Sequence, residues 1–401
     1  MTKGRLLILV AFLVAIVVSV RLELSSQHGP SGPAGTAMAA PPATSKTLTG
    51  VGDYRGIALS LPNADPNHPY ETFIDEIAAT GANTILFVLA AYQENASSTS
   101  IFIDMRKTPS DAHLKRIIGH ARSRGLRVMM MPIVLLENPR DSEWRGKINP
   151  SSWDDWWQDY ENYLMHYAYI ANETGVEVFM VGSELLSTET DAQLERWKSL
   201  IKTVRGGFSG KLGYSSNWDH YSFVKFWDHL DVVGMTTYHD LTDGGKEPTM
   251  DRLMAEWKTI KRNILDWQKT VNRPIVFTEV GWPNQTTCAE FAWDYTRSTD
   301  SPAPELQARC FEAFFRTWSN EPAVAGAVVW EWRCYEVYDE KGHIKPYGPD
   351  ETSYVPCGKP ALEVIKRYLA RPLVAAASGP ASAPGSQPIV TDSHLKEVLG
   401  K

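Results

Sequence analysis

The sequence between Tyr54 and Leu369 alternates short apolar segments with longer amphipathic ones, and this alternation limits the possible folds more than any other feature. The short segments have the length of strands. They are almost continuously hydrophobic, as expected of parallel strands that are covered on both faces. We predict eight strands, Tyr54–Ser60, Asn83–Ala90, Arg127–Val134, Glu177–Glu184, Lys211–Asn217, Asp231–Tyr238, Pro274–Gly281 and Ala325–Trp332.

The segments between these strands carry the start and stop signals of helices. Ser110 is a candidate N-cap, and Gly125 follows the end of the same helical pattern. A longer helix is predicted from about Trp153 to Asn172, with Gly175 near its end. Repeated strand–helix units form either a closed barrel or an open doubly wound sheet. No glycine-rich phosphate loop follows the first strand, so we predict an α/β fold of the (β/α)8 TIM-barrel class.

The N-terminal segment, residues 1–22, has the pattern of an export signal. Lys3 and Arg5 precede a run of apolar residues, and Arg21 ends it. A positive flank before an apolar run directs export whether or not the segment is cleaved. We favour an uncleaved signal anchor, which would attach the protein to a membrane; the alternative is a cleaved signal peptide and a secreted protein.

The rest of the chain divides by composition. Residues 23–49 are rich in Ser, Pro, Gly and Ala and are predicted to be a flexible linker. The catalytic domain is predicted to span residues 50–370, and residues 371–401 are predicted to be a disordered C-terminal tail. We therefore expect a single folded domain between two flexible segments.

Charge and cysteine content exclude several classes of partner. The net charge is −7 and no run of basic residues occurs, so nucleic acid is not an expected partner. Export favours one or two disulfides among the four cysteines, with the pairing left open. No CxxC or paired-histidine spacing occurs, and neither a metal nor a cofactor is predicted. The four cysteines are Cys288, Cys310, Cys334 and Cys357.

Two predicted strands end in a glutamate. Glu184 ends the fourth strand, and Glu279 lies near the end of the seventh. Catalytic groups of such barrels come from the C-terminal ends of the strands. An ionised carboxylate at the end of an apolar strand is costly to bury unless it has a partner or a use. Two of them, on strands three apart around the ring, are expected to face each other across the barrel mouth.

A facing pair of carboxyl groups is the requirement of glycoside hydrolysis. One protonates the leaving oxygen, and in retaining enzymes the other attacks the anomeric carbon. We assign Glu184 as the general acid/base and Glu279 as the nucleophile. Tyr238, which ends the sixth strand, is predicted to support Glu279 by donating a hydrogen bond to it.

The chain resembles glycoside hydrolase family 113 of clan A, whose studied members are β-mannanases. The resemblance covers about Tyr54 to Leu369 and implies an acid/base after strand four and a nucleophile after strand seven. The segments that carry it are Val181-Gly182-Ser183-Glu184-Leu185, Ser187-Thr188-Glu189, Trp144-Arg145-Gly146, Arg196-Trp197, Tyr214-Ser215-Ser216-Asn217-Trp218-Asp219, Phe226-Trp227-Asp228, Phe277-Thr278-Glu279-Val280-Gly281, Gly348-Pro349 and Gly358-Lys359-Pro360-Ala361.

Two positions differ from the pattern of the family. Ser183 stands where many clan A enzymes have an asparagine that binds the sugar 2-hydroxyl. Strand three contains Met131-Pro132-Ile133, which offers no side-chain hydrogen bond to a sugar where relatives have polar residues. The predicted substrate-binding residues are Ser183, Asn217, Trp218, Trp282, Trp330 and Trp332, the last two on one face of strand eight by alternation.

Two hypotheses about function follow. The first is a retaining glycoside hydrolase that acts on an extracellular β-linked polysaccharide or oligosaccharide, with β-mannan as the expected substrate. The second is a barrel that binds carbohydrate or a cell-wall component without cleaving it, which the apolar third strand favours.

Overall fold

The computed structural model describes residues 53–294, 296, 297, 300–333, 335, 336, 345, 346 and 351–370. Eight parallel strands close into a barrel in chain order, with the last strand paired to the first. The predicted (β/α)8 fold is confirmed. The strands are Tyr54–Ser60 (β1), Thr84–Gln93 (β2), Arg127–Leu136 (β3), Val178–Ser183 (β4), Lys211–Ser216 (β5), Val232–Thr236 (β6), Ile275–Val280 (β7) and Val324–Val329 (β8).

Helices follow the strands and surround the barrel. They are Tyr70–Ala79 (α1), Asp111–Ser123 (α2), Trp153–Thr174 (α3), Leu194–Gly207 (α4), Met250–Val271 (α5), Pro304–Trp318 (α6) and Pro360–Leu369 (α7). Short 3₁₀ turns occupy Arg145–Lys147, Leu186–Thr188, Asp191–Gln193 and Trp227–His229. A small antiparallel pair, Tyr335–Glu336 (β9) and Lys345–Pro346 (β10), follows β8.

The predicted helix signals lie at helix ends. The hydroxyl of Ser110 accepts a hydrogen bond from the backbone N–H of His113 at 3.3 Å, which caps α2. Gly175 ends α3 in the left-handed conformation, with a φ of 71°. Glycine takes this conformation without a steric penalty from a Cβ atom. Local sequence therefore sets where these two helices stop and start.

The apolar side chains form two layers, as the alternation along a strand requires. One layer fills the interior of the barrel and includes Met129, Met131, Val178 and Val328. The other packs between the strands and the surrounding helices and holds most of the buried aromatic rings. The interior is a packed core and not a channel, so a substrate meets the barrel only at its mouth.

The end of the barrel opposite to the strand C-termini carries a cavity of 510 Å³. Three of its charged residues form ion pairs: Glu177 binds Arg127 at 2.6 Å, and Arg205 binds Asp231 at 2.7 Å. In TIM barrels this end serves stability rather than catalysis. We therefore interpret these ion pairs as structural.

Several predictions concern parts of the chain outside the described residues. The export segment (1–22), the linker (23–49) and the tail (371–401) lie there, and so does Cys334. Cys288 and Cys310 are buried free thiols, and Cys310 is one of the buried residues of α6. Within the described residues, no helix is long and apolar enough to cross a membrane, and no cluster of metal-binding side chains occurs.

Candidate active site

Glu184 is the first residue after β4 and has a left-handed backbone, with a φ of 52°. Its N–H donates to the carbonyl oxygen of Ser215 on β5 at 2.9 Å, which holds this disfavoured conformation in place. Gly182 makes room nearby, because a Cβ atom there would lie 2.7 Å from the hydroxyl of Tyr160. The carboxyl group of Glu184 is 7% exposed.

Glu279 lies within β7 and is 3% exposed. In the pairing of β6 with β7, Thr236 is aligned with Glu279. The hydroxyl of Thr236 donates to Oε1 of Glu184 at 3.3 Å. Thr236 therefore lies next to Glu279 in the sheet and contacts Glu184 directly. The two glutamates predicted from the sequence are therefore brought together at the mouth of the barrel.

Arg145 binds the first of these glutamates. It lies in the 3₁₀ turn after β3, and its Nη2 donates to Oε2 of Glu184 at 2.5 Å. The next residue is Gly146, where a Cβ atom would lie only 2.4 Å from the ring of Trp144. Arg145 was not among the site residues predicted from the sequence. Its only signal was the family resemblance of Trp144-Arg145-Gly146, because the residue lies on a loop and not at a strand end.

Tyr238 binds the second glutamate. Its hydroxyl donates to Oε2 of Glu279 at 2.7 Å, in the arrangement predicted from the sequence. Oε1 of Glu279 is buried and has no hydrogen-bond partner among the described residues.

Burial and the nearby charge of Glu184 raise the pKa of Glu279 to about 8, whereas Arg145 and the hydrogen bond from Tyr238 act in the opposite direction. Two buried carboxyl groups this close do not both ionise readily, and their protons belong to the pair. We therefore expect one proton at neutral pH, which the free site holds on Glu279 and which must pass to Glu184 before acid-assisted attack. One carboxylic acid and one carboxylate is the combination that acid-assisted nucleophilic attack needs.

A third carboxyl group, Glu331, was not predicted as a site residue. It follows β8 and also raises the pKa of Glu279. The hydroxyl of Ser60, at the end of β1, donates to Oε2 of Glu331 at 2.7 Å. Glu331 is only half-buried, so it adds negative charge to a part of the mouth that solvent reaches.

The residues after β5 remain candidates for substrate contact. Asn217 and Trp218 are half-buried. Oδ1 of Asn217 accepts from the N–H of Trp218 at 3.1 Å and lies 3.4 Å from the hydroxyl oxygen of Thr236, so this asparagine contacts the residue that links the two glutamates. Ser183 is only 1% exposed, and its hydroxyl has no partner among the described residues.

The prediction that Trp282 and Trp332 bind the sugar is wrong. Trp282 is 0% exposed and packs among core rings, with Phe311 at 5.2 Å between ring centroids. Trp332 is 4% exposed, and its Nε1 donates to Glu76 of α1 at 3.1 Å. The prediction assumed that strand alternation continues to Trp332, but β8 ends at Val329. Both residues therefore belong to the layer between strands and helices.

Trp330 keeps its predicted place. It is half-buried and packs against the interior cluster at the mouth. Met131 lies in that same cluster, and Ile133 packs on it. The third strand is thus as apolar at the mouth as its sequence indicates.

The contrast between two tryptophans gives a stability prediction. We expect Trp282→Ala to lower the free energy of unfolding by about 3–5 kcal/mol, because it removes a fully buried ring from a packed core. Trp330→Ala should cost far less stability and instead raise KM, because this ring is half-exposed at the mouth. Urea denaturation of both variants, with steady-state kinetics, checks this. Equal losses of stability would contradict the placement.

His239 lies on the loop after β6. The side chain is buried, with the ring of Trp218 at 5.1 Å and that of Trp257 at 5.6 Å. Burial lowers the pKa of His239 to about 4. The neutral imidazole of His239 therefore packs against the ring of Trp218.

This shift predicts acid destabilisation. Between pH 6.5 and about 4 the unfolded chain binds a proton at His239 and the folded chain does not. The contribution of His239 is complete above pH 6.5 and is lost as the pH falls through this window. We expect His239→Asn to lose about 2 kcal/mol less stability than the wild type between pH 7.5 and 4.5, measured by urea denaturation. Parallel pH curves for the two proteins would contradict the prediction.

Comparisons with known proteins support the interpretation of this site as that of a glycoside hydrolase. A model of Glycoside Hydrolase Family 113 matches residues 68–359. A search of curated proteins finds no match. The β-mannanase AaManA from Alicyclobacillus acidocaldarius, solved in complex with ManMIm, has a TM-score of 0.69 and 26% identity over 81% of this chain and 99% of its own. Another family 113 β-1,4-mannanase has a TM-score of 0.69 and 27% identity over 79% of this chain and 99% of its own.

A more distant structure shares only the fold. The endo-β-1,4-mannanase from Thermotoga petrophila has a TM-score of 0.54 at 10% identity, over 80% of this chain and 77% of its own. The family match spans the barrel from the start of α1 to the start of α7 and includes both glutamates. The chain belongs to glycoside hydrolase family 113, as its sequence motifs indicated, and it is a glycoside hydrolase.

Proposed function

We propose that this protein is a retaining β-mannan hydrolase in which Glu184 is the general acid/base and Glu279 the nucleophile. The observation that carries the proposal is the arrangement of the two carboxyl groups: Thr236 contacts Glu184 directly and is aligned with Glu279 in the sheet. Arg145 interacts electrostatically with both. Double displacement requires two carboxyl groups in one site, one as the acid/base and the other as the nucleophile.

In the first step Glu184 donates its proton to the glycosidic oxygen as that bond to the anomeric carbon breaks. A carboxylate oxygen of Glu279 forms a bond to the same carbon from the opposite face. In the second step Glu184 takes a proton from water, the water oxygen bonds to the anomeric carbon, and Glu279 leaves as a carboxylate. The hydroxyl of Tyr238 stabilises that carboxylate before attack and after release.

Azide rescue tests the division of roles. Glu184→Ala should lose activity on substrates with poor leaving groups. On a substrate whose leaving group departs without a proton, azide should restore turnover by taking the place of the activated water. The product should be a β-glycosyl azide, because a covalent intermediate is attacked on the face that the leaving group vacated. An α-azide product, or rescue of Glu279→Ala in place of Glu184→Ala, would reverse or exclude the assignment.

β-Mannan is the proposed substrate because solved relatives of 26–27% identity are β-1,4-mannanases. The experiment is a screen of the wild type over mannan, glucan, xylan and aryl β-glycosides, with Glu279→Gln as the inactive control. Release of sugar from mannan alone supports the proposal. Hydrolysis of another polysaccharide would show that mannan is not the preferred substrate. Binding without product would favour a non-catalytic carbohydrate-binding barrel.

We also propose that the protein is exported and acts on an extracellular polysaccharide. The support is the sequence of residues 1–22, with basic residues before an apolar run, followed by a linker rich in Ser and Pro. Western blotting of a C-terminally tagged protein in membrane, cytosolic and secreted fractions tests this. Recovery in the cytosolic fraction alone would overturn it; the membrane and secreted fractions separate an anchor from a cleaved signal.

A further inference from the structure

A buried carboxyl group lies close to the acid/base but outside the pair described above. Glu189 is 7% exposed, and its Oε1 accepts a hydrogen bond from the hydroxyl of Tyr214 at 2.6 Å. Its Oε2 is buried and has no hydrogen-bond partner among the described residues. A buried carboxyl group with one free oxygen is costly and therefore needs an explanation.

Tyr214 connects this carboxyl group to the backbone of the acid/base. Its oxygen accepts the N–H of Leu185, the residue after Glu184, at 2.9 Å. The tyrosine is fully buried on β5, and its ring packs on Trp197 at 5.2 Å between centroids. The chain of hydrogen bonds from the carboxylate through the hydroxyl to the backbone N–H is therefore held in a rigid surrounding.

The backbone of Glu184 needs such support. With a φ of 52° it has a conformation that non-glycine residues rarely adopt. The N–H of Glu184 is held by Ser215 on one side, and the N–H of Leu185 is held by Tyr214 on the other. The two bonds fix the peptide groups that flank the catalytic side chain. A carboxylate that accepts from Tyr214 makes the tyrosine oxygen a stronger acceptor for Leu185.

The charge of Glu189 changes near neutral pH. Burial raises its pKa to about 7; the charges of Glu184 and Asp219 act in the same direction, and the hydrogen bond from Tyr214 and the charge of His220 oppose them. Above this pH the carboxylate form predominates, and it is the form that polarises the tyrosine.

We propose that Glu189 and Tyr214 are positioning residues that hold Glu184 in the orientation from which it transfers its proton to the leaving group. They touch neither the substrate nor the reacting atoms and act through the backbone of Leu185. The proposal rests on the proposed role of Glu184 as acid/base.

Leaving-group dependence tests it. For Glu189→Gln and Tyr214→Phe we expect kcat/KM on an aryl β-mannoside with a poor leaving group to fall by about 10-fold to 100-fold. The loss should be at most about twofold with a dinitrophenyl leaving group, which departs without a proton. The rise of wild-type kcat through about pH 7 on the poor leaving group should be absent in Glu189→Gln. If the two residues had a merely structural role, kcat/KM would fall equally on both substrates, and that result would overturn the proposal.

A double mutant and controls complete the experiment. Glu189→Gln combined with Tyr214→Phe should be no worse than Tyr214→Phe alone, because one chain of hydrogen bonds is broken in both; additive losses would overturn the proposal. Glu195→Gln on the exposed face of α4 is the matched control and should keep wild-type kinetics. Should Glu189→Gln fail to fold, Tyr214→Phe and Glu189→Asp carry the same leaving-group test. Azide rescue of Glu184→Ala reports separately on the role of Glu184.

Discussion

Glu279→Gln is expected to lower kcat on β-mannan by at least about 10⁴-fold, because the amide has no oxygen able to form the covalent intermediate. The substitution keeps the shape of the side chain and still accepts the hydrogen bond from Tyr238. It also removes a group that burial makes costly to ionise, so we expect no loss of stability and a small gain in Tm. Steady-state kinetics and thermal unfolding of the same preparation measure both effects.

The matched control for this variant is Glu177→Gln. It makes the same chemical change at the opposite end of the barrel, where Glu177 binds Arg127. We expect wild-type kinetics from the control. Activity of Glu279→Gln within about 100-fold of the wild type, after exclusion of deamidation by mass spectrometry, would remove Glu279 from the nucleophile role.

Arg145→Met is expected to lower kcat/KM by about 10²–10³-fold, the usual cost of removing one preorganised charge from an active site. Arg145 binds Glu184 at 2.5 Å and lowers the pKa of Glu279. Without it, the pKa of Glu279 should rise further. The basic limb of the kcat/KM profile, which we expect near pH 8 for the wild type, should therefore move to higher pH.

Arg145→Lys separates charge from geometry. It keeps a positive charge at the same place, so the basic limb should stay near its wild-type position even though the bond to Glu184 is less well aligned. A basic limb that is the same in Arg145→Met and in the wild type would show that Arg145 does not control the proton of the pair.

The barrel and its two glutamates were predictable because the signals are local. Each of the eight predicted strands corresponds to an observed strand, and β1 has the predicted bounds, Tyr54–Ser60. Parallel strands buried on both faces leave long apolar runs in the sequence. A carboxylate at the end of such a run stands out, and this identified Glu184 and Glu279 before the structure was known. Their opposition then follows from the closure of the ring.

The rest of the site depends on contacts between distant segments. Arg145 approaches Glu184 from a loop whose path no periodicity describes. Trp282 and Trp332 follow strand ends as the sequence indicated, but which layer each ring enters is set by where the strand stops. His239 lies on a loop and is buried by rings from two other elements. The position of a residue in the sequence shows which strand or loop it follows. Packing between distant segments determines which way its side chain points.

The way the barrel holds its two glutamates has a consequence for folding. Arg145 and Glu184 come from the third and fourth units, and Tyr238 and Glu279 come from the sixth and seventh. Each of these hydrogen bonds lies within one half of the barrel, but neither half contains both carboxyl groups. Hydrolytic activity therefore returns during refolding only when both halves have joined. It should lag behind recovery of the helical circular dichroism signal, making turnover a reporter of the last assembly step.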